Sequence, residues 1–156
     1  MKTTLLLIGK TTDKRIEQLV DEYASRLKHY ITFDIRVLPE LKNTKSKTIE
    51  QQKKEEGDNI LNAIDDSTTL ILLDEHGEQM RSIVFAQYMQ KLLSAGRNVV
   101  FAIGGPYGFS PDVYQRANAK LSLSPMTMSH QIVRLFFAEQ LYRAMTILKG
   151  EPYHHE

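Results

Sequence analysis

Three short stretches of the chain combine residue types that can do chemistry. The first is Gly104-Gly105-Pro106-Tyr107-Gly108, directly after the apolar run Val99-Val100-Phe101-Ala102. Glycine removes the Cβ and admits positive φ, while proline stiffens the turn and donates no hydrogen bond, so a ligand can lie against preset backbone there. The same residues also suit a tight strand-to-helix turn, and the loop alone does not choose between the two. It does argue against two familiar ligands. The spacing is not G-x-G-x-x-G, and no Lys-Ser or Lys-Thr pair follows as in a phosphate-binding P-loop, so dinucleotide and nucleoside-triphosphate sites are not indicated.

The second stretch, LSLSPMTMSHQ at residues 121–131, alternates small polar residues with Pro125, Met126 and Met128. It reads as a loop offering backbone groups and apolar walls, although methionines at this spacing more often fill a core. The third is the tail, Glu151-Pro152-Tyr153-His154-His155-Glu156. Imidazoles serve acid–base chemistry near neutral pH, but two histidines at a terminus are usually idle. Arg143 stands four residues after Glu139, the spacing of a helical ion pair. Its alternative role is to hold a phosphate or a developing negative charge, and Arg134 and His130 carry the same ambiguity. The five histidines (His29, His76, His130, His154, His155) form no ligand-spaced set with carboxylates, so no metal is expected.

These residues need a frame to position them. Thr4–Ile8, Phe33–Leu38, Thr69–Asp74, Asn98–Ile103 and Lys120–Leu123 read as strands, with helix-length segments between them. In the first helix Ile16, Leu19, Val20, Tyr23, Ala24 and Leu27 make one apolar stripe, with Asp13 as N-cap. A second helix covers Thr48–Ala63, where Gly57 costs about 1 kcal/mol relative to alanine. A third runs from Ser82 to Ala95 and stops at Gly96, and a short one starts at Pro111 behind Ser110. The last, Gln131–Leu148, carries more apolar residues than one stripe needs, so its second side must be buried by a central position or by a second copy of the chain. Strand–helix alternation predicts an α/β fold with an open, mostly parallel sheet. In such sheets ligands sit beyond the carboxyl ends of the strands, where the glycine loop lies.

At 156 residues the chain fits one domain with a real core, expected over 1–156. Cysteine is absent, which excludes disulfides and thiolate chemistry. The first apolar run is too short for a secretory signal, and no stretch approaches a membrane span, so a cytoplasmic protein without membrane contact is expected. With 20 basic and 19 acidic residues the net charge is +1, and bulk electrostatics announces no nucleic-acid partner. Lys42, Lys45 and Lys47 form a local cluster that reads as solvated.

The segments IGGPYGFS (103–110), LSLSPMTMSHQIVRLFFAEQLYRA (121–144) and GEPYHHE (150–156) resemble, in order and spacing, the small bacterial SPOUT-class methyltransferases of large-subunit ribosomal RNA. The amino-terminal half resembles them in length and layout, including the pair Glu56-Gly57. The resemblance implies a SPOUT-type α/β fold with a carboxyl-terminal trefoil knot that builds an S-adenosylmethionine pocket. It implies methylation of N3 of a pseudouridine in 23S ribosomal RNA on the assembled ribosome. By matching motifs, the cofactor would contact Leu73, Gly105, Ser124, Pro125, Met126, Thr127, Met128 and Ser129. It further implies a homodimer in which the tail of one subunit completes the pocket of the other. Tyr153, His154 and Arg143 thereby become expected catalytic residues, with His154 the candidate base for the N3 proton ahead of His130. Where the family commonly has a basic residue after the Tyr-His pair, this chain has His155. Two rival readings are a knotted methyltransferase acting on transfer RNA and a non-catalytic nucleotide-binding α/β module.

Overall fold

The computed structural model describes residues 1–156. The elements alternate along the chain: β1 (Thr3–Ile8), α1 (Lys14–Leu27), β2 (Phe33–Leu38), α2 (Ile49–Asn62), β3 (Thr69–Gln79), α3 (Ser82–Ala95), β4 (Val99–Ile103), α4 (Pro111–Arg116), β5 (Ala119–Ser122) and α5 (Ile132–Leu148). The strands form one sheet in the order β2-β1-β4-β3-β5, and every neighbouring pair is parallel. A parallel pair cannot be closed by a hairpin, so a helix fills each crossover and must pack on a face of the sheet.

Side chains alternate across the inner strands and thereby sort the helices. Leu5, Leu7, Ile71, Phe101 and Ile103 point to the face carrying Leu27, Phe85, Met89, Phe137 and Leu141 from α1, α3 and α5. Leu6, Leu70, Leu72, Val100 and Ala102 point to the opposite face, with Ile60 of α2 and Val113 of α4. Because both faces are covered, β1, β3 and β4 read in sequence as continuous apolar runs.

The two expected caps form: Asp13 accepts from the N–H groups of Arg15 and Ile16, and Ser110 accepts from Val113 N–H. Thr48, read as the first helical residue, is instead the N-cap of α2 and makes a reciprocal capping box with Gln51. Gly96 ends α3 in the left-handed region at φ 72°. Helix α5 lacks a cap from Gln131; instead Ser129 Oγ accepts from Ile132 N–H at 3.0 Å.

Three features go beyond what the sequence spacing specifies. Helix α5 lies between α1 and α3 on the sheet, so Phe137, Leu141, Ala144 and Met145 are buried within the chain by its central position, one of the two arrangements its apolar content allows. Of its large apolar side chains, Ile132 (51%) and Phe136 (37%) stay exposed. Gly57 is required by packing: a Cβ there would run into Ser110 Oγ and come within 3.1 Å of Val113 Cγ2, so its lost propensity is exchanged for close docking of α2 on α4.

Strand β3 is also longer than its apolar run. It continues to Gln79, and Leu121 of β5 is in register with both Leu73 and Glu78, so residues 74–77 bulge out of the ladder. The expected strand ends at Asp74, but pairing with an edge strand tolerates the polar side chains beyond it. Gly77 makes the crossing possible, because an added Cβ would lie 2.7 Å from Leu121 N and 2.7 Å from the carbonyl carbon of Lys120. Backbone cannot step aside as a flexible side chain can. Gly77→Ala is therefore expected to destabilise the fold by about 1–3 kcal/mol, the cost of overpacking. Denaturant unfolding checks this, and an unchanged midpoint would show that β5 yields freely.

Candidate functional site

A cleft of about 400 Å³ opens at the carboxyl ends of β3, β4 and β5. Leu73 comes from β3, Gly104 to Phe109 from the loop after β4, Ser124, Met126, Thr127 and Met128 from the segment after β5, and Val133 from the first turn of α5. Apolar walls with a few convergent polar groups at a strand-end crevice suit a small ligand of nucleoside size. Met126 is 77% exposed at the rim, an apolar side chain with little of the chain against it.

Six of the eight residues expected at a cofactor line this cleft: Leu73, Gly105, Ser124, Met126, Thr127 and Met128. Pro125 and Ser129 do not. Pro125 is exposed between two lining residues, and Ser129 is occupied by the first turn of α5. The segment is held locally: Ser124 Oγ accepts from Met126 N–H at 3.0 Å, and Thr127 donates to Glu75 Oε2 at 3.0 Å.

The glycine loop is less bare than its composition suggests. Gly105 N–H donates to Glu56 Oε1 at 2.8 Å, and Gly105 O accepts from Gly108 N–H at 3.1 Å. A Cβ on Gly105 would overlap the Glu56 carboxylate, and one on Gly104 would lie 3.2 Å from the Phe109 ring. At these two positions the missing side chains are accounted for by neighbours in the fold.

Sequence reasoning also missed Asp74 and Tyr114. Asp74 accepts from His76 N–H at 2.8 Å and from the Tyr114 hydroxyl. Burial pushes the Asp74 carboxyl up, but these two bonds outweigh it and hold the group below the usual carboxylate range. For Tyr114, burial and then donation to Asp74 push the phenol up to about 12. The only signal was position, since Asp74 follows Leu73 where β3 leaves its core register.

Behind the glycine loop lies a polar cavity of about 370 Å³, lined by Glu40, Lys53, Glu56, His130 and Arg134 among others. Arg134 is 2% exposed and donates to Ile8 O at 2.9 Å and Thr11 Oγ1 at 3.0 Å, so it ties α5 to the end of β1. His130 lines both cavities.

The tail residues gather elsewhere, on the outer side of α5. Arg143 donates to Glu139 Oε1 through Nε at 3.0 Å and Nη2 at 2.6 Å, the expected helical pair. The same oxygen accepts from the Tyr153 hydroxyl at 3.2 Å, and Tyr153 lies 3.3 Å from the Tyr23 hydroxyl. Burial, followed by these contacts, holds the Tyr153 phenol well above the usual tyrosine range. Arg143 Nη1 stands 3.1 Å from His154 Nδ1. A guanidinium only donates, so Nδ1 accepts, and in a neutral ring the proton sits on Nε2. That Nε2 is buried and without a hydrogen-bond partner. To act as a base, His154 would have to release Arg143.

No residue beyond Val133 lines the cleft, so one chain keeps the expected cofactor and catalytic sets apart. No group of three His, Asp or Glu side chains is placed to hold a metal, and no helix is long and apolar enough to cross a membrane.

A parallel α/β sheet with a strand-end cleft built from the glycine loop and the segment before α5 defines a class that the family comparison identifies. Residues 1–154 match the family model described as "Predicted SPOUT methyltransferase", and the chain belongs to that family. Its reaction class is methyl transfer from a methyl donor. Among curated proteins, the chain is 55% identical to "Ribosomal RNA large subunit methyltransferase H" of Bacteroides thetaiotaomicron, covering 100% of both chains. It is 53% identical to the protein of that name from Christiangramia forsetii over 99% of both, and 50% identical to that from Flavobacterium johnsoniae over 100%.

The raised Tyr114 value has a sign that can be tested. A phenol whose folded value is about 12 against an ordinary 10.0 favours the folded state fully below pH 10, and that contribution fades as pH rises toward 12. The stability advantage of the parent over Tyr114→Phe should stay constant below pH 10 and shrink above it. Thermal melts across that range check it; a constant difference to pH 12 would refute the Tyr114–Asp74 bond.

Proposed function

We propose that the protein transfers a methyl group from S-adenosylmethionine to N3 of a pseudouridine in the large-subunit ribosomal RNA of the assembled ribosome. The observation that carries this is the cleft itself: the segments that match the family's cofactor motifs come from three places in the chain and converge on one strand-end pocket. The full-length relatives named for large-subunit ribosomal RNA support the substrate.

Leu73, Met126 and Met128 offer apolar packing for an adenosyl group, while loop backbone offers hydrogen-bonding partners. S-adenosylmethionine supplies an activated methyl on a sulfonium, and no metal is needed. The chain's residues have to orient the two reactants, exclude water and let the N3 proton leave as the N–C bond forms. Arg143 is suited to steady the negative charge that develops on the base, and Tyr153 to position it. Water or His154 takes the proton, His154 only after Nδ1 parts from Arg143.

A homodimer reconciles the two separated sets. Ile132, Phe136, Glu139 and Arg143 recur at i, i+4, i+7 and i+11, one stripe along α5 from the cleft edge to the tail. Leu19 on the adjacent α1 is 43% exposed as well. Pairing two copies through this face would cover the apolar residues and bring the tail of one to the cleft of the other. The cytoplasm, where ribosomes work, is the corresponding location.

Labelled S-adenosylmethionine and ribosomes lacking the modification test the proposal. Label should map to N3 of a large-subunit pseudouridine, and Arg143→Ala should lower kcat/KM by roughly 100-fold, the scale of losing a charge-stabilising donor. Label on transfer RNA, or none with the donor bound, would overturn the substrate. Normal turnover with a lowered melting point would reduce Arg143 to a structural partner of Glu139.

A further inference from the structure

The Glu56-Gly57 pair has no part in the transfer chemistry above, yet both residues reach the β4–α4 loop. Gly57 lets α2 press against Ser110, the N-cap of α4, and Glu56, one residue earlier, meets Gly105. Together they hold the loop at both ends of residues 105–110, from the side opposite the cleft. Glu56 lines the polar cavity behind the loop and does not line the cleft, whereas Gly105 lines both.

We propose that Glu56 is a positioning residue for the cofactor cleft, and that position 105 is glycine to admit the Glu56 carboxylate rather than to admit the cofactor. The argument is steric and polar at once. A Cβ at 105 would occupy the space of the carboxylate, so any side chain there displaces Glu56. The buried Gly105 N–H has Glu56 Oε1 at 2.8 Å as its partner, and losing it would leave a backbone donor unsatisfied. With that N–H turned toward α2, the loop presents a fixed wall to the cleft. Burial raises the Glu56 carboxyl and the Gly105 N–H works against that rise, as expected for a carboxylate retained for its contact.

This inference rests on the methyltransferase reading of the cleft, and its test separates the two. Five proteins are compared: the parent, Glu56→Ala, Gly105→Ala, the double variant, and Glu56→Gln as the conservative replacement. S-adenosylmethionine affinity is measured by calorimetry well below the lowest melting point of the set, beside melting temperatures and the kcat and KM of transfer.

Glu56→Ala should weaken S-adenosylmethionine about tenfold through loss of one charge-assisted hydrogen bond, raising KM for the donor more than it lowers kcat. Glu56→Gln, which keeps an oxygen for Gly105 N–H, should restore binding to within about threefold of the parent. Gly105→Ala should weaken binding at least tenfold alone, but add less than about threefold once Glu56 is alanine, because the clash is gone. An equal penalty for Gly105→Ala in both backgrounds would show that the ligand itself needs the bare position and would overturn the proposal. Parent-like affinity in Glu56→Ala would overturn it too. If the parent does not bind S-adenosylmethionine, the methyltransferase reading falls with the cofactor claim. The melting-temperature cycle then still decides whether Glu56 and Gly105 are coupled.

Discussion

Helix α5 follows the edge strand β5 in sequence, yet it is buried between α1 and α3, with the Phe137 ring tilted against Phe101 of β4 at 4.8 Å between centroids. Burying a large apolar side chain contributes about 1.5–3 kcal/mol, and Phe137, Leu141 and Met145 all gain it there. The nine residues between β5 and α5 therefore have to travel back from the sheet edge across the carboxyl ends of its strands. Their own side chains are mostly exposed, so the path is fixed by its two anchors and by small local bonds at Ser124, Thr127 and Ser129. The cleft is the space between this return path and the glycine loop.

A second dependence is electrostatic. The few charged groups withdrawn from water are each given partners: Arg134 at the end of β1, Glu56 at Gly105, and Arg143 with Glu139, Tyr153 and His154. Such groups are costly to strand and add little to stability over apolar replacements, so their value lies in fixing geometry. The near-neutral chain places this buried polarity behind the glycine loop and at the tail.

Much of the architecture was legible in the sequence because it is written in local signals. Caps at Asp13 and Ser110, the stop at Gly96 and the apolar strand runs all formed where spacing placed them. The cleft residues were legible through the resemblance, as periodicity carries no information on how loops converge. What stayed hidden depends on contacts between distant parts of the chain. Nothing near Glu56 announces Gly105, 49 residues away, and nothing near Asp74 announces Tyr114, 40 residues away. The extension of β3 was hidden for the same reason, since polar DEHGEQ becomes strand only when β5 lies across Gly77.

The late position of α5 in the chain also sets an order of events during folding. Until residues 132–148 exist, Phe101, Ile71 and Leu5 have no helix over them between α1 and α3, and the face that they form stays open to water. Parallel pairing of β1 with β4, some 96 residues apart, already makes the topology slow to close. The half-finished chain thus carries an apolar sheet face that only its own final helix can seal, the kind of transient surface through which incomplete chains aggregate.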